Sequence, residues 1–251
     1  MAVYQRVKSL AYQLLPTGWL AANKHRLRRL TAQFYRGDAH VCNVCGFKLR
    51  TFVSNGSDLL CPNCGSLGRT RRLYDLLADR LPKLTSGQVL HFSPPACLTD
   101  HVDRILPHNV RYITTDFVGE FAAARHIDLT DTGLPDNAYD FIVCYHVLEH
   151  IERDDLAMAE LHRILKPGGS CLIQTPFTGE SGPAKEDPTV VTPAARLEHF
   201  GQEDHVRVYS VTALRKRLTT AGLTVEILEF TEAAANRKGF KESEFVLVAT
   251  K

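Results

Sequence analysis

From residue 70 onward, the hydrophobic positions form short apolar runs that alternate with segments of helical periodicity. The runs predict strands at residues 88–92, 110–115, 140–145, 170–174, 224–229 and 244–249. Helical spacing predicts helices at residues 70–84, 154–165 and 211–221. The Lys-Pro-Gly-Gly sequence at 166–169 is expected to end the second of these helices and to turn into the next strand. Strands and helices in this order predict an α/β fold with a doubly wound, mostly parallel sheet and helices on both faces.

Two basic helices are predicted before residue 36. The first spans residues 3–15, and the sequence Pro-Thr-Gly at 16–18 ends it. Its apolar face consists of Val3, Val7, Leu10, Ala11, Leu14 and Leu15. The second helix runs to about Tyr35, with Leu20, Leu27, Leu30 and Phe34 at helical spacing.

Charge is divided unevenly along the chain. Residues 1–83 hold 14 Lys and Arg against four Asp, a net charge of +10, and the remaining 168 residues carry −8. This split indicates that the N-terminal part faces something anionic. RNA phosphates and an anionic membrane surface are both open as partners. The third alternative is that the segment packs beside the rest of the protein and keeps a solvated basic face.

The uncharged run at residues 9–23 is too short and too interrupted to span a membrane, and it lacks the features of a secretory signal. We therefore expect a cytoplasmic protein, which would be peripheral to the membrane if the lipid alternative holds.

Four of the seven cysteines form two Cys-x2-Cys pairs, Cys42 with Cys45 and Cys61 with Cys64. Each pair can place two sulfurs on one tetrahedral ion, so the spacing predicts a four-thiolate zinc site. A disulfide pair is disfavoured in a reducing compartment, and a redox dithiol needs only one such pair. Four thiolates leave no open coordination position, which indicates a structural ion. The predicted domains are a basic helical segment at 1–39, a zinc ribbon at 40–68 and a larger domain at 69–251.

Two motifs in the larger domain carry a family resemblance. Residues 133–151 end in Val-Leu-Glu-His-Ile, and residues 160–169 end in Leu-Lys-Pro-Gly-Gly. With these motifs, residues 86–250 resemble the class I, Rossmann-like methyltransferases that use S-adenosyl-L-methionine (SAM), most closely the branch of ubiquinone-biosynthesis enzymes. Segments 61–66 and 200–207 further resemble a bacterial group of zinc-ribbon methyltransferases. The resemblance implies a Rossmann-like fold with SAM as cofactor and a structural Zn²⁺ ion.

The resemblance places the cofactor across the carboxyl ends of the parallel strands. The loop at 91–96 departs from the family, because it holds two prolines, which donate no N–H, where a glycine-rich turn is usual. Asp116 is expected to accept hydrogen bonds from both ribose hydroxyls, and by resemblance Asp128 reaches the adenine amino group while Leu129 packs on the ring. A capping role for Asp116 and a degenerate, non-catalytic domain remain alternatives. The expected cofactor residues are His91, Phe92, Ser93, Pro94, Asp116, Phe117, Asp128, Leu129, Tyr145 and His146.

Methyl transfer requires in-line positioning of the acceptor and, where necessary, removal of a proton. We interpret the long polar segment 176–210 as a structureless lid or binding loop on the acceptor side. Arg207 is expected to clamp an anionic group, and Glu149 and His150 are candidates for orienting the local turn. A surface or hydrogen-bonded structural role is the alternative for each histidine of the site. The candidate catalytic residues are His146, His199, His205 and Arg207.

The sequence thus predicts a SAM-dependent methyltransferase that acts on an oxygen, nitrogen or sulfur nucleophile of a small-molecule or glycan-type metabolite. One alternative is an rRNA or tRNA methyltransferase that grips RNA with its basic zinc-ribbon half. The ribbon holds Phe47 and Phe52 but few aromatic residues for stacking on bases, which disfavours RNA. A second alternative is a non-catalytic zinc-ribbon interaction protein, which the glycine-free loop would favour.

Overall fold

The computed structural model describes residues 13, 16–117, 125–232 and 235–251. The predicted helix over residues 3–15 lies outside them except at Gln13, and so does its apolar face. None of the helices in the described part combines the length and apolar character that a membrane crossing requires.

The chain divides into two compact units. The first contains Met1–Lys83, Pro95–Leu106 and Phe230–Glu244, and the second contains Leu84–Pro94, Pro107–Glu229 and Phe245–Lys251. The first unit therefore groups residues 69–83 with the cysteine pairs, whereas the sequence boundary at 68/69 separates them. The boundaries at 39/40 and 68/69 stay predictions.

The first unit consists of helices and two antiparallel pairs of short strands. The second basic helix forms as α1, followed by a 3₁₀ turn at Gln33–Tyr35. The helix predicted at 70–84 spans Gly68–Arg80 in the structure, and a 3₁₀ turn at Leu81–Lys83 follows it. The elements are α1 (Thr17–Ala32), β1 (Arg36–Val41) antiparallel to β2 (Lys48–Leu49), β3 (Val53–Asn55) antiparallel to β4 (Asp58–Leu60), α2 (Gly68–Arg80) and α3 (Ala96–Val102).

The second unit is built on a seven-stranded sheet, whose strands are β5 (Gly87–Phe92), β6 (Val110–Asp116), β7 (Arg125–His126), β8 (Tyr139–Tyr145), β9 (Leu165–Gln174), β12 (Thr224–Thr231) and β13 (Ser243–Thr250). Two further short strands, β10 (Lys185–Glu186) and β11 (Arg207–Val208), form a separate antiparallel pair. The strand order in the sheet is β12-β13-β9-β8-β5-β6-β7. Strands β5 to β9 pair in parallel, and β13 is antiparallel to β9, which confirms the predicted α/β, Rossmann-like fold. Its helices are α4 (Asp154–Ile164), α5 (Pro193–Phe200) and α6 (Val211–Thr220).

One apolar core holds the sheet and its helices together. Leu90 and Ile142 from the central strands are fully buried, and they belong to the same cluster as Leu161 of α4 and Leu214 of α6. Central parallel strands are covered on both faces, which explains why their sequences read as continuous apolar runs.

The predicted turn at 166–169 is wrong. Strand β9 begins directly after α4, and the segment forms an irregularity within the strand, since Tyr139 pairs with Leu165 whereas Phe141 pairs with Ser170. Gly168, at a φ of 78°, permits the distortion, and its N–H donates to the Lys251 carbonyl over 3.0 Å. Pairing with the end of the chain therefore keeps this segment in the sheet.

The segment 176–210 is not structureless. It contains α5 and the antiparallel pair of β10 with β11. The Thr192 hydroxyl accepts a hydrogen bond from the Ala195 N–H at the start of α5, and Gly201, at a φ of 86°, ends the helix. Thr-Pro before a helix and Gly after it are ordinary helix boundaries.

A buried arginine organises the main chain of the first unit. Arg71 is fully buried, and its guanidinium donates to the carbonyls of Ser66 over 2.7 Å and Leu59 over 2.9 Å. It also donates to the carbonyls of Lys238 over 2.6 Å and Gly239. These bonds join the second cysteine knuckle to the segment 230–244 within the unit.

A second buried arginine, Arg72, contacts two carboxylates in the same unit. It forms ion pairs with Glu232 and, over 3.5 Å, with Glu244, and its guanidinium lies 3.8 Å from the centre of the Phe240 ring. Burial raises the pKa of Glu244 to about 7 in spite of the arginine. The protonated form of Glu244 is therefore favoured in the folded protein below about pH 7.

Replacing Glu244 by Gln tests this assignment. Because the folded pKa is raised, the stability that the protonated carboxyl contributes is present below pH 4–5 and is lost as the pH rises through about 7. Glu244→Gln should then stabilise the protein by about 1–3 kcal/mol at pH 8 and have much less effect at pH 5. Thermal unfolding at both pH values measures the difference. Glu242→Gln, at an exposed neighbour, is the control, and an equal shift at both pH values in Glu244→Gln would contradict the assignment.

Candidate active site

The strand order reverses between β5 and β8, since β6 and β7 lie on one side of β5 and β8 and β9 on the other. In an open parallel sheet, the crevice outside the carboxyl ends of the strands at such a reversal is where ligands bind. Three strand ends meet at this edge: Phe92 and Ser93 after β5, Asp116 and Phe117 after β6, and Tyr145 and His146 after β8.

The loop after β5 reaches its turn without a glycine. Ser93 adopts a left-handed conformation with a φ of 48°, which is rare for a residue other than glycine. Its N–H donates to the Thr115 carbonyl over 2.6 Å, and its hydroxyl donates to Oδ1 of Asp116 over 2.8 Å. The structure therefore brings the predicted residues Ser93 and Asp116 together at the strand ends.

The side chains of His91 and Phe92 lie in the interior instead. His91 is fully buried, and its Nδ1 makes a 2.6 Å hydrogen bond with the Tyr112 hydroxyl. Burial lowers the pKa of His91 to about 3, so the imidazole is neutral at physiological pH. Phe92 is part of the apolar core. In this arrangement only the main chain of these two residues is available to a ligand.

The remaining predicted cofactor residues differ in exposure. Oδ1 of Asp128 accepts hydrogen bonds from the N–H and the hydroxyl of Thr130, over 2.8 and 2.7 Å, which forms a local turn. Leu129 is buried in the core, whereas Phe117 is 65% exposed. Of this group, Asp128 and Phe117 are the residues whose side chains reach the surface.

The end of β8 makes a tight turn into a 3₁₀ helix at Leu148–His150. His146 adopts a φ of 55°, and its N–H donates to the Gln174 carbonyl over 2.8 Å. Its Nδ1 lies 3.1 Å from Oε1 of the fully buried Glu149. Two left-handed, non-glycine residues therefore occur at the ends of adjacent strands, which is typical of functional sites.

His205, from the acceptor-side segment 176–210, lies beside the turn at Leu148–His150. His205 is 2% exposed, and its ring centroid lies 4.8 Å from that of His150. Burial lowers the pKa of His205, which favours the neutral imidazole. Nδ1 of His150 lies 3.1 Å from Oδ2 of Asp204, and the Val206 N–H donates to the Glu149 carbonyl over 2.9 Å.

The structure separates the other two acceptor-side candidates from this cluster of imidazoles. His199 is exposed on α5, and its Nδ1 lies 3.1 Å from the Ala195 carbonyl of the same helix. The Arg207 guanidinium donates to the carbonyls of Ile151 and Glu152, and to the Glu186 carboxylate over 3.0 Å. Arg207 thus holds main chain, whereas the sequence prediction gives it an anionic ligand.

Glu149 and His150 are expected only to orient the local turn, whereas the structure places both beside His205 and beside Asp204, which is not among the expected residues. The adjacent carboxylate and imidazole of Glu149 and His150 directly follow a strand end, which is a local signal for a site. The convergence of Asp204 and His205 on them carries no such signal, because it depends on how the segment 201–208 folds back.

The four predicted cysteines of the first unit converge. The Sγ atoms of Cys42 and Cys64 are 3.7 Å apart, and those of Cys45 and Cys61 are 3.8 Å apart. Metal–sulfur bonds of about 2.3 Å in a tetrahedron require sulfur separations of about 3.8 Å, so the cluster fits one tetrahedral ion.

Both knuckles have the same main-chain bonds. The Gly46 N–H donates to the Cys42 carbonyl over 2.7 Å, and the Gly65 N–H donates to the Cys61 carbonyl over 2.9 Å. Both glycines have a positive φ, of 73° and 82°, which permits the tight turn.

Comparisons with known proteins agree with this architecture. The chain is 32% identical, over 102 residues, to a probable S-adenosylmethionine-dependent methyltransferase of Mycolicibacterium smegmatis. That match covers 41% of this chain and 35% of the relative, so the chain spans about a third of the length of that protein.

Three solved structures share the fold. The CurJ carbon methyltransferase has a TM-score of 0.51 and 15% identity, and the match covers 72% of this chain and 53% of that one. A SAM-dependent methyltransferase from Archaeoglobus fulgidus has a TM-score of 0.50 and 15% identity, with 74% of this chain and 95% of that one covered. The Haemonchus contortus phosphoethanolamine N-methyltransferase 2 in complex with SAM has a TM-score of 0.50 and 12% identity, with 72% of this chain and 52% of that one covered. At these identities the likeness concerns the fold alone.

The profile of a family described as a methyltransferase domain matches residues 62–228. The match includes β5 to β9, the turn after β8 and the acceptor-side segment. Since it covers more than half of the sequence, the chain belongs to the methyltransferase domain family.

Proposed function

We propose that this protein transfers a methyl group from SAM to an oxygen, nitrogen or sulfur nucleophile of a small-molecule or glycan-type metabolite. The observation that carries the proposal is the convergence of Ser93, Asp116 and His146 at the strand-order reversal of a methyltransferase domain. The motif at 147–151 further supports a place near the ubiquinone-biosynthesis branch of the class.

The strand-end residues fit the polar parts of SAM. The Asp116 carboxylate would accept hydrogen bonds from the ribose hydroxyls, and Ser93 would hold Asp116 in place through its 2.8 Å bond. Asp128 would accept from the adenine amino group. When bound, SAM supplies a methyl group made electrophilic by the adjacent sulfonium. The chain itself positions the acceptor in line and excludes water.

Asp116→Asn tests the cofactor assignment. Loss of the carboxylate charge at two hydrogen bonds should weaken binding of S-adenosylhomocysteine by about 1–3 kcal/mol. Isothermal titration calorimetry measures the change, with Asp131→Asn as the control, because Asp131 is an exposed aspartate of the nearby 128–131 turn. Unchanged affinity in a folded Asp116→Asn protein would remove Asp116 from the site.

The acceptor class is open to a direct experiment. Metabolite extract, lipid extract and total RNA would be incubated separately with the protein and methyl-labelled SAM. The proposal expects label in the metabolite or lipid fraction. Label in RNA alone would favour the RNA alternative, and a protein that neither binds SAM nor labels any fraction would favour the non-catalytic alternative.

The basic helix α1 bears on the same choice. It exposes the large apolar side chains of Trp19 and Leu30, and the turn that follows it exposes Phe34. The exposed basic residues of the helix include Arg26 and Arg29. An anionic membrane can bind both kinds of exposed group, because apolar side chains enter its acyl region and cationic ones contact its headgroups. RNA phosphates bind only the cationic groups, so the helix matches a membrane surface better. We propose that α1 contacts such a surface and brings the protein to a lipid-linked acceptor.

We further propose that the four cysteines hold one structural Zn²⁺ ion. Their sulfur spacing supports this role, since four thiolates would fill the shell of one tetrahedral ion. The ion would stabilise the first unit, because metal binding at such a site is coupled to folding.

Cys45→Ser should remove one equivalent of zinc per chain and lower the thermal stability of the protein. Elemental analysis and thermal unfolding measure the two effects. Cys97→Ala is the matched control, since Cys97 is buried in the same unit but lies outside the cluster. Wild-type protein purified without chelator and holding well under half an equivalent of zinc would refute the assignment.

A further inference from the structure

We propose that Glu149, His150 and His205 form a second metal site, for a divalent first-row transition ion, at the carboxyl end of β8. Each residue offers one ligand atom, and these three atoms lie within 4.8 Å of one another. Only the catalytic use of this site rests on the proposed function; the binding of the ion does not.

The geometry suits a single ion. Oε1 of Glu149 and Nε2 of His150 are 4.0 Å apart, too far for a hydrogen bond but close enough for two ligands of one ion. Bonds from such an ion to imidazole nitrogen and carboxylate oxygen measure about 2.0–2.2 Å, so small side-chain movements would complete the site. The His150 and His205 rings stand at 81° to each other, and this angle lets both approach one point from different sides.

Burial supplies an independent argument. The Glu149 side chain is fully buried, so its carboxylate would act on a nearby ion with little screening by solvent. Neither ring nitrogen of His205 makes a hydrogen bond of standard geometry to any residue that the structure describes, although the Phe200 main chain lies close enough to raise the pKa of the ring. A divalent ion would give the His205 ring a partner beside the Glu149 carboxylate.

The surroundings of His150 resemble those of a metal ligand. Oδ2 of Asp204 lies 3.1 Å from its Nδ1, which leaves Nε2 directed towards Glu149. Histidines that bind metal usually donate their second ring nitrogen to a carboxylate or carbonyl, which fixes the ring orientation.

Main-chain bonds hold the two halves of the site together. The Val206 N–H donates to the Glu149 carbonyl, and Arg207 donates to the carbonyls of Ile151 and Glu152. Because His205 directly precedes Val206, these bonds hold it beside the turn that carries Glu149 and His150. The site is therefore built from two segments that the fold keeps in register.

The ligand set also indicates the kind of ion and acceptor. Two imidazoles and one carboxylate suit Zn²⁺, Mn²⁺, Fe²⁺ or Co²⁺, and they leave coordination positions open, unlike the four cysteines. An open position would bind an acceptor hydroxyl and lower its pKa. The oxygen would release its proton to solvent and form a bond to the methyl carbon, while the carbon–sulfur bond breaks and leaves its electron pair on sulfur. The products are the methyl ether and S-adenosylhomocysteine, and the acceptor class is an alcohol or phenol.

Manganese titration tests the site without relying on activity. Electron paramagnetic resonance of free Mn²⁺ counts bound ions, and Mn²⁺ does not compete for a zinc-loaded thiolate cluster, because thiolates favour softer ions. We expect the wild type to bind one Mn²⁺ per chain and Glu149→Gln and His205→Gln to lose saturable binding. His199→Ala, an exposed histidine of the same segment, should bind Mn²⁺ as the wild type does.

Asp204→Asn guards against loss of folding in the buried variants. Asp204 is 65% exposed, so its substitution leaves the core intact, yet it should weaken Mn²⁺ binding by about tenfold through His150. Titration of S-adenosylhomocysteine and the thermal midpoint of each variant check the fold.

Two results would overturn the proposal: a wild-type protein that binds neither Mn²⁺ nor Co²⁺ beyond its thiolate-bound zinc, or folded Glu149→Gln and Asp204→Asn proteins that bind Mn²⁺ as tightly as the wild type. Failure of the proposed function looks different. A protein that loses Mn²⁺ in these variants but never binds SAM would retain the metal site and reject the methyltransferase activity.

Discussion

The reversal of strand order between β5 and β8 is the constraint on which the rest of the site depends. Parallel strands carry their ends to one edge, and the reversal leaves a crevice there because the connections on its two sides diverge. Ser93, Asp116 and His146 are distant in sequence, and only this topology brings them to the same edge. Ser93 and His146 both adopt left-handed conformations at this edge, where β5 and β8 end.

A second set of interactions joins the acceptor-side segment to the turn after β8. Arg207 and the Val206 N–H bind main-chain atoms of residues 149–152, and charged donors make stronger bonds to carbonyls than neutral ones. The bonds of Val206 and Arg207, the two residues that follow it, therefore hold His205 beside Glu149 and His150. The two proposed metal sites contrast in design: four thiolates form a closed shell that stabilises a small unit, whereas the Glu149 cluster leaves room for a ligand.

Local sequence patterns were sufficient for much of this structure. The buried strands, α4 and the cysteine knuckles all depend on residues within a few positions of each other, and the structure places them close to where the sequence predicts them. The turn at 166–169 was wrong because pairing with Lys251 decides it, and that partner lies at the far end of the chain. Helix α5 has local boundary signals in Thr192, Pro193 and Gly201, but it is short and lies in a polar segment, which favours the interpretation as a loop.

Roles that depend on burial were harder to predict. His91 stands at a strand end in sequence, but its ring faces the interior and binds Tyr112. We propose that SAM binds at the ends of β5, β6 and β8. A crystal structure with S-adenosylhomocysteine tests this most directly, and we predict that the ribose hydroxyls lie within hydrogen-bond distance of the Asp116 carboxylate. A ligand bound elsewhere, or a crevice that stays without ligand at saturating concentration, would contradict it.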